Sequence, residues 1–218
     1  MMYGKKAVLL LLVLTVAAAG AGAFQIESLD VHGGMLLLGN GETEGAPSPI
    51  LPTWSVSLPM SFSSLFYLSP ELGIFWNQYQ LSSDGDKAIP TEIETANQVS
   101  FITLYLDANA LFRFALSEQL SIGPMGFLSF VFRIPIRGWD EAAEDTSYSE
   151  TMTTYLYSSG RFLYPGIGGF FNWAFSENFG FAFRLKWRIP LFHALAGEEV
   201  GFHDQMMIVG TVGIRFFF

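Results

Sequence analysis

Three histidines are the natural candidates for acid–base chemistry. His193 and His203 flank a stretch that holds Glu198 and Glu199, and Asp204 follows His203 directly. A histidine beside a carboxylate could serve as a general base, although exposed loop histidines account for the same residues without chemistry. There is no cysteine, which removes disulfides, thiolate metal sites, a thiol nucleophile and a lipid-anchored N-terminal cysteine. No Gly-x-Ser-x-Gly, His-Glu-x-x-His or phosphate-loop pattern occurs. The densest acidic run, Asp140-Glu141-Ala142-Ala143-Glu144-Asp145, lacks the glycine and the ligand spacing of a calcium loop. The sequence therefore predicts a non-enzymatic chain without a catalytic, cofactor or metal site.

The more informative charges are spaced by two. Arg184, Lys186 and Arg188 alternate with Phe181, Phe183, Leu185, Trp187 and Ile189. In a strand that spacing places the cations on one face and the apolar residues on the other. Asp30, Glu71 and Asp107 are the acids expected on the same inner face. The expectation is a charge network of Glu71, Asp107, Arg113, Arg184, Lys186 and Arg188, in which the two acids pair with Arg113, Arg184 or Lys186. Such a network either locks a packed polar core or lines a narrow polar path. The remaining acids segregate elsewhere: Glu42, Glu44, Asp84, Asp86, Glu92, Glu94 and the 140–145 run fall in stretches whose one basic residue is Lys87.

The elements that must position these charges repeat with a period of two. In Trp54-Ser55-Val56-Ser57-Leu58-Pro59-Met60-Ser61-Phe62 the large apolar residues share one face, and three serines and a proline share the other. Pro59 predicts a bulge or a strand end. Between Val99 and Leu116, Ile102, Leu104, Leu106, Ala108, Ala110, Phe112 and Phe114 keep one phase. The pattern predicts eight strands, near 28–38, 53–62, 66–77, 98–116, 119–137, 158–175, 179–191 and 204–218. Short turns near 63–65, 117–118 and 176–178 alternate with long loops near 39–52, 78–97, 138–157 and 192–203. Trp54, Trp76, Trp173 and Trp187 fall on apolar phases or near strand ends, as interfacial girdles do.

Composition points the same way. Half of the 218 residues are hydrophobic, 22 are Phe, and charged residues make up 14%, against about 25% in ordinary soluble domains. Beyond the N-terminus, no segment has the run of roughly 18 apolar residues that a spanning helix needs. High apolar content without long runs fits a closed barrel, the other structure that satisfies every backbone group in lipid. Residues 1–23 read as a signal peptide: Lys5 and Lys6, an apolar stretch from Ala7 to Val16, then Ala21-Gly22-Ala23 as a cleavage site. The barrel domain would then be 24–218. An outward Arg near the midplane costs about 2–4 kcal/mol, so Arg184, Lys186 and Arg188 must face in. Arg161 falls on the outward phase and is expected above the membrane.

The final strand, Ile208, Gly210, Val212, Ile214, Phe216 and Phe218, alternates to the last residue. A terminal strand of this kind resembles the signal read by the outer-membrane barrel-assembly machinery, carried by Ile214, Phe216 and Phe218. With eight strands, the chain resembles the small barrels of the OmpA transmembrane domain, OmpX and OmpW type. The resemblance implies an all-β, antiparallel up-and-down transmembrane barrel in the bacterial outer membrane, with both termini on the periplasmic side. It implies outer-membrane lipids as partners and a structural or surface-interaction role through the acidic loops. An OmpW-like channel for small hydrophobic solutes is the alternative, for which Phe75, Phe101, Leu111, Phe127 and Val131 on inward phases leave room. A lipid-modifying enzyme fits less well. The His-x-Ser pair of the deacylase barrels is absent, and about five residues precede the first strand, too few for the amphipathic helix of the acyltransferase barrels. An overall charge of −9 disfavours nucleic acid.

Overall fold

The alternation of side chains resolves into eight long strands in the computed structural model, which describes residues 24–42, 48–92, 97–136, 146–192 and 203–218. The strands are β1 (Ser28–Leu38), β2 (Ile50–Ser57), β3 (Phe66–Leu81), β4 (Gln98–Phe112), β5 (Leu120–Pro135), β6 (Leu163–Ala174), β7 (Phe179–Arg188) and β8 (Met207–Phe217). Each pairs antiparallel with its sequence neighbours. The ring closes where β8 pairs with β1, from Met207 opposite Leu38 to Phe217 opposite Ser28. This is a closed up-and-down barrel of eight antiparallel strands. Phe24, the first described residue, and Phe218 lie at the end with the short turns, called here the turn end; the opposite, loop end carries the longer connections.

The outer wall is apolar. Val31, Trp54, Leu72, Phe132, Phe183, Val212 and Ile214 are among the large side chains left exposed around the ring. A contiguous apolar surface of this extent is foreign to a water-soluble monomer and matches the lipid-facing band of a membrane barrel. No described helix is long and apolar enough to cross a membrane; the strands make the crossing.

The strand ends depart from expectation in instructive ways. β2 stops at Ser57, yet Met60 and Ser61 still pair with Leu68 and Tyr67 in unchanged register. Pro59 therefore interrupts the ladder without inserting a residue. β3 runs to Leu81, four residues beyond the predicted end, because Ala88–Thr91 folds back to pair with Gln78–Leu81. The 138–157 segment is not all loop: Thr146–Tyr157 forms a helix, α1. Its Ser149, Met152 and Leu156 are buried on one face, the three- and four-residue spacing of a helix stripe. β6 consequently starts at Leu163 and not at 158, after a turn in which Ser159 and Gly160 take positive φ of 50° and 81°. Arg161 lies in that turn and is buried, not outward above the membrane. Its guanidinium sits 4.1 Å from the Tyr155 ring centroid and 4.5 Å from that of Phe192.

Candidate functional site

The interior is layered, and its middle layer is ionic. β7 is half-way round the ring from β3, so inward side chains on these strands meet across the lumen. Arg184 Nη1 donates to Glu71 Oε2 at 2.5 Å, and Arg184 Nη2 donates to Asp30 Oδ2 and to Ser57 Oγ, each at 2.9 Å. Lys186 Nζ donates to Glu71 Oε2 at 2.6 Å and to Asp107 Oδ2 at 2.7 Å. Arg188 Nη2 donates to Asp107 Oδ2 at 2.8 Å. Arg215 on β8 grips Asp30 with two bonds of 2.8 and 2.7 Å.

The result is one alternating chain: Arg215, Asp30, Arg184, Glu71, Lys186, Asp107, Arg188. Every member is at least nine-tenths buried. Taken charged, it holds four cations and three anions. The excess is spread over aromatic faces. The Arg188 guanidinium lies 4.3 Å from the Tyr105 ring centroid, and Lys186 Nζ lies 5.4 Å from that of Phe127. Small residues make room for those rings. A Cβ at Gly73 would fall inside the Tyr105 ring, and one at Gly166 would strike Phe127. Tyr105 Oη then lies 3.3 Å from Thr53 Oγ1, within hydrogen-bond reach.

Five of the six residues expected in the network, Glu71, Asp107, Arg184, Lys186 and Arg188, thus come together. Arg113 does not. It lies just past the end of β4, six residues from Asp107, about 20 Å at roughly 3.3 Å per residue. At the turn end its Nη1 donates to Tyr67 Oη at 2.6 Å and lies 3.6 Å from Glu27 Oε2. Asp30, which phase already placed inward, and Arg215 complete the chain in its stead. His32 shares the phase of Asp30 and joins it in the interior. It is buried, with Nε2 3.8 Å from Asp30 Oδ2.

Above the ionic layer, toward the loop end, the lumen turns apolar. Leu36, Phe75, Phe101, Val131, Tyr164 and Val209 form a buried cluster, and Met152 and Leu156 of α1 close it. Tyr157 ties the helix to the wall: its hydroxyl accepts from the Arg133 amide at 2.8 Å and donates to the Arg133 carbonyl at 3.1 Å. The Arg133 side chain is held by oxygens of Tyr79, Tyr164 and the Arg161 carbonyl. Below the ionic layer, Tyr67, Leu111, Met125, Phe127 and Phe170 form a second apolar cluster. Beneath it a polar vestibule of about 590 Å³, bordered by Glu27, Arg113, Asn172 and Arg215, opens at the turn end.

The rim offers little for catalysis among the described residues. His203 is exposed, while Asp204 is buried and accepts from the Gly41 amide at 3.4 Å. His193, Glu198 and Glu199 lie outside the described residues. Among those described, no three His, Asp or Glu side chains are placed to hold a metal ion. Lys87 binds Glu42 at 3.0 Å, joining two loops, and that hydrogen bond raises the lysine above its ordinary pKa. Ile214 and Phe216 face outward from β8, where Phe216 meets Phe179 with ring centroids 5.6 Å apart, and Phe218 is exposed. The proposed signal segment, residues 1–23, lies outside the described residues.

No family model matches the chain, and no curated protein matches it. Solved structures do. Neisserial surface protein A (NspA) superposes with a TM-score of 0.54 at 10% identity, over 89% of this chain and 99% of that one. Ail, the attachment invasion locus protein of Yersinia pestis, gives 0.45 at 8% identity, over 88% and 97%. At such identities the likeness concerns the fold. This chain has the fold of the small eight-stranded outer-membrane barrels.

Proposed function

We propose that the chain is an integral protein of the bacterial outer membrane that acts through its loop end and not through its lumen. The observation that carries this reading is the seven-charge chain across the barrel. An eight-stranded barrel is only wide enough for side chains to fill, and here fixed ion pairs occupy its middle. The apolar cluster and α1 add a second closure above them. The turn end, with both termini, faces the periplasm, and the barrel-assembly machinery reads Ile214, Phe216 and Phe218 after the N-terminal segment is removed. The acidic loops form the outer surface, where they meet an extracellular partner or simply keep the surface hydrated and repulsive. No catalytic step is assigned to the chain.

Planar-bilayer recording tests this reading, with heat-modifiable gel migration as the folding control. The expected result is heat-modifiable migration and no discrete conductance. Regular single-channel steps that change in Arg184→Ala would overturn it. Uptake of a small hydrophobic solute into liposomes only when the folded barrel is present would favour the OmpW-type alternative.

A further inference from the structure

His32 is a buried imidazole, and neither of its ring nitrogens has a hydrogen-bond partner. The ring lies against the backbone of β8, where a Cβ at Gly213 would fall 2.5 Å from Nδ1. The charged groups that face it are Asp30 on its own strand, Arg215 of β8 and Arg184 of β7, both bound to Asp30, and Glu71 of β3, bound to Arg184. β2 opposes it with the uncharged Ser55.

Nε2 stops 3.8 Å from Asp30 Oδ2, too far for a hydrogen bond. Asp30 has no capacity to spare. Ser28 Oγ, Arg184 Nη2 and two nitrogens of Arg215 donate to it, which fills the roughly four lone-pair sites of a carboxylate. A neutral imidazole fits this arrangement. An imidazolium does not, because it adds a fifth cation to three carboxylates in a lumen where a stranded charge is costly.

The two arginines on Asp30 are held differently. Arg184 also binds Glu71 and Ser57, and its side chain is enclosed. Arg215 has an Asn172 amide atom 3.1 Å from its Nη1. It borders the turn-end vestibule, whose lining includes Glu27, Glu118 and Glu177. Its guanidinium can therefore leave Asp30 for water among carboxylates, a route that Arg184 lacks.

We infer that His32 is a proton-driven switch: its imidazolium takes the place of Arg215 on Asp30, and Arg215 turns out into the acidic vestibule. The exchange keeps four cations against three anions in the interior, since one buried cation replaces another. The imidazole has to close on Oδ2 by only about 1 Å to reach the length of a charge-assisted bond. Histidine is the side chain that ordinarily changes charge near neutral pH, so mild acid drives the exchange. It delivers one positive charge to the mouth of the turn end, whichever compartment that end faces.

The test is a titration from about pH 7.5 to about pH 4.5, spanning the ordinary histidine range, of the nitrogen-15-labelled full barrel in phosphatidylcholine nanodiscs. Ring nitrogen shifts report protonation of His32. The Nε–H signal of Arg215 reports whether its guanidinium is held, and that of Arg184 is the internal control. Arg215→Lys and His32→Gln assign the signals. Exchange of the Arg215 Nε–H with water is expected to rise by an order of magnitude or more, with the midpoint of His32 protonation, while Arg184 stays protected. In His32→Gln, Arg215 should stay protected throughout. An Arg215 that remains held after His32 protonates would overturn the switch. So would a His32 that stays neutral across the range in folded barrel. Release of Arg215 at the same pH in His32→Gln would assign the event to a carboxylate and also refute it. Should His32→Gln fail to fold, the two wild-type midpoints decide: coincidence supports the exchange and separation rejects it.

Discussion

Removing one charge from the interior chain should cost more or less according to what it leaves behind. Glu71→Gln divides the chain into Arg215–Asp30–Arg184 and Lys186–Asp107–Arg188, each with one uncompensated positive charge. It also removes the acceptor of two short charge-assisted bonds, from Arg184 and Lys186. Lys186→Met divides the chain into Arg215–Asp30–Arg184–Glu71 and Asp107–Arg188, and both pieces are neutral. Breaking a buried pair by deleting one partner costs about 3–5 kcal/mol because the other charge is stranded, whereas replacing charge by apolar volume is often close to neutral. Glu71→Gln should therefore cost about 3–5 kcal/mol. Lys186→Met should cost less than about 2 kcal/mol, chiefly for the lost hydrogen bonds. The double variant leaves one uncompensated charge instead of two, so its cost should fall below the sum of the singles, by the roughly 0.5–3 kcal/mol typical of coupled neighbours. Urea unfolding in liposomes, followed by tryptophan fluorescence and by heat-modifiable migration, measures all three. If Lys186→Met proves as damaging as Glu71→Gln, the charge balance read from the ion pairs is wrong.

Three further perturbations probe other layers. Met152→Ala empties a fully buried position beneath α1 and should cost about 2–5 kcal/mol if the helix unfolds with the barrel; if the helix opens on its own, protease will cut within Thr146–Tyr157 while the barrel melting temperature holds. Gly73→Ala pushes a methyl into the Tyr105 ring and should destabilise by about 1–3 kcal/mol, and a companion Tyr105→Ala should relieve the overlap, so equal effects in the two backgrounds would contradict the packing. Val212→Arg places a charge on the outward face in the middle of β8 and should cost about 2–4 kcal/mol in a bilayer; no change in liposome unfolding would speak against lipid contact at that position.

The strand period was legible because it is a property of single residues. Each side chain declares its preferred face, and the alternation through Val99–Leu116 or Ile208–Phe218 places a strand without reference to any neighbour. Register is a property of pairs, which single residues do not declare. Arg113 falls on the same expected strand as Asp107, and phase alone does not tell that it sits past the end of β4 beside Tyr67 and Glu27. Arg215 lay on the inward phase of the last strand, but its attachment to Asp30 depends on β8 closing against β1, a contact between residues far apart in sequence. α1 was missed for a different reason. Its Thr, Ser and Tyr content favours neither helix nor burial, and only the spacing of Ser149, Met152 and Leu156 carries the signal. The backward fold of Ala88–Thr91 onto β3 was hidden because Pro90 discourages a strand assignment.

An ionic interior also answers a problem peculiar to this fold. A strand with two apolar faces could enter the membrane in either phase, because a slip of one residue would exchange lumen and lipid without penalty. Here the same slip would turn Arg184, Lys186 and Arg188 toward hydrocarbon and leave Glu71 and Asp107 unpaired. At about 2–4 kcal/mol for each cation near the midplane, three misplaced cations on β7 alone approach the whole stability of an ordinary domain, about 5–15 kcal/mol. The chain from Arg215 to Arg188 therefore discriminates against wrong registers more strongly than its net contribution to stability would suggest. It also lies across the middle of the lumen. On this argument the same charges that set the register also occupy the lumen, which is why the proposed function places the protein's contacts at its loop end.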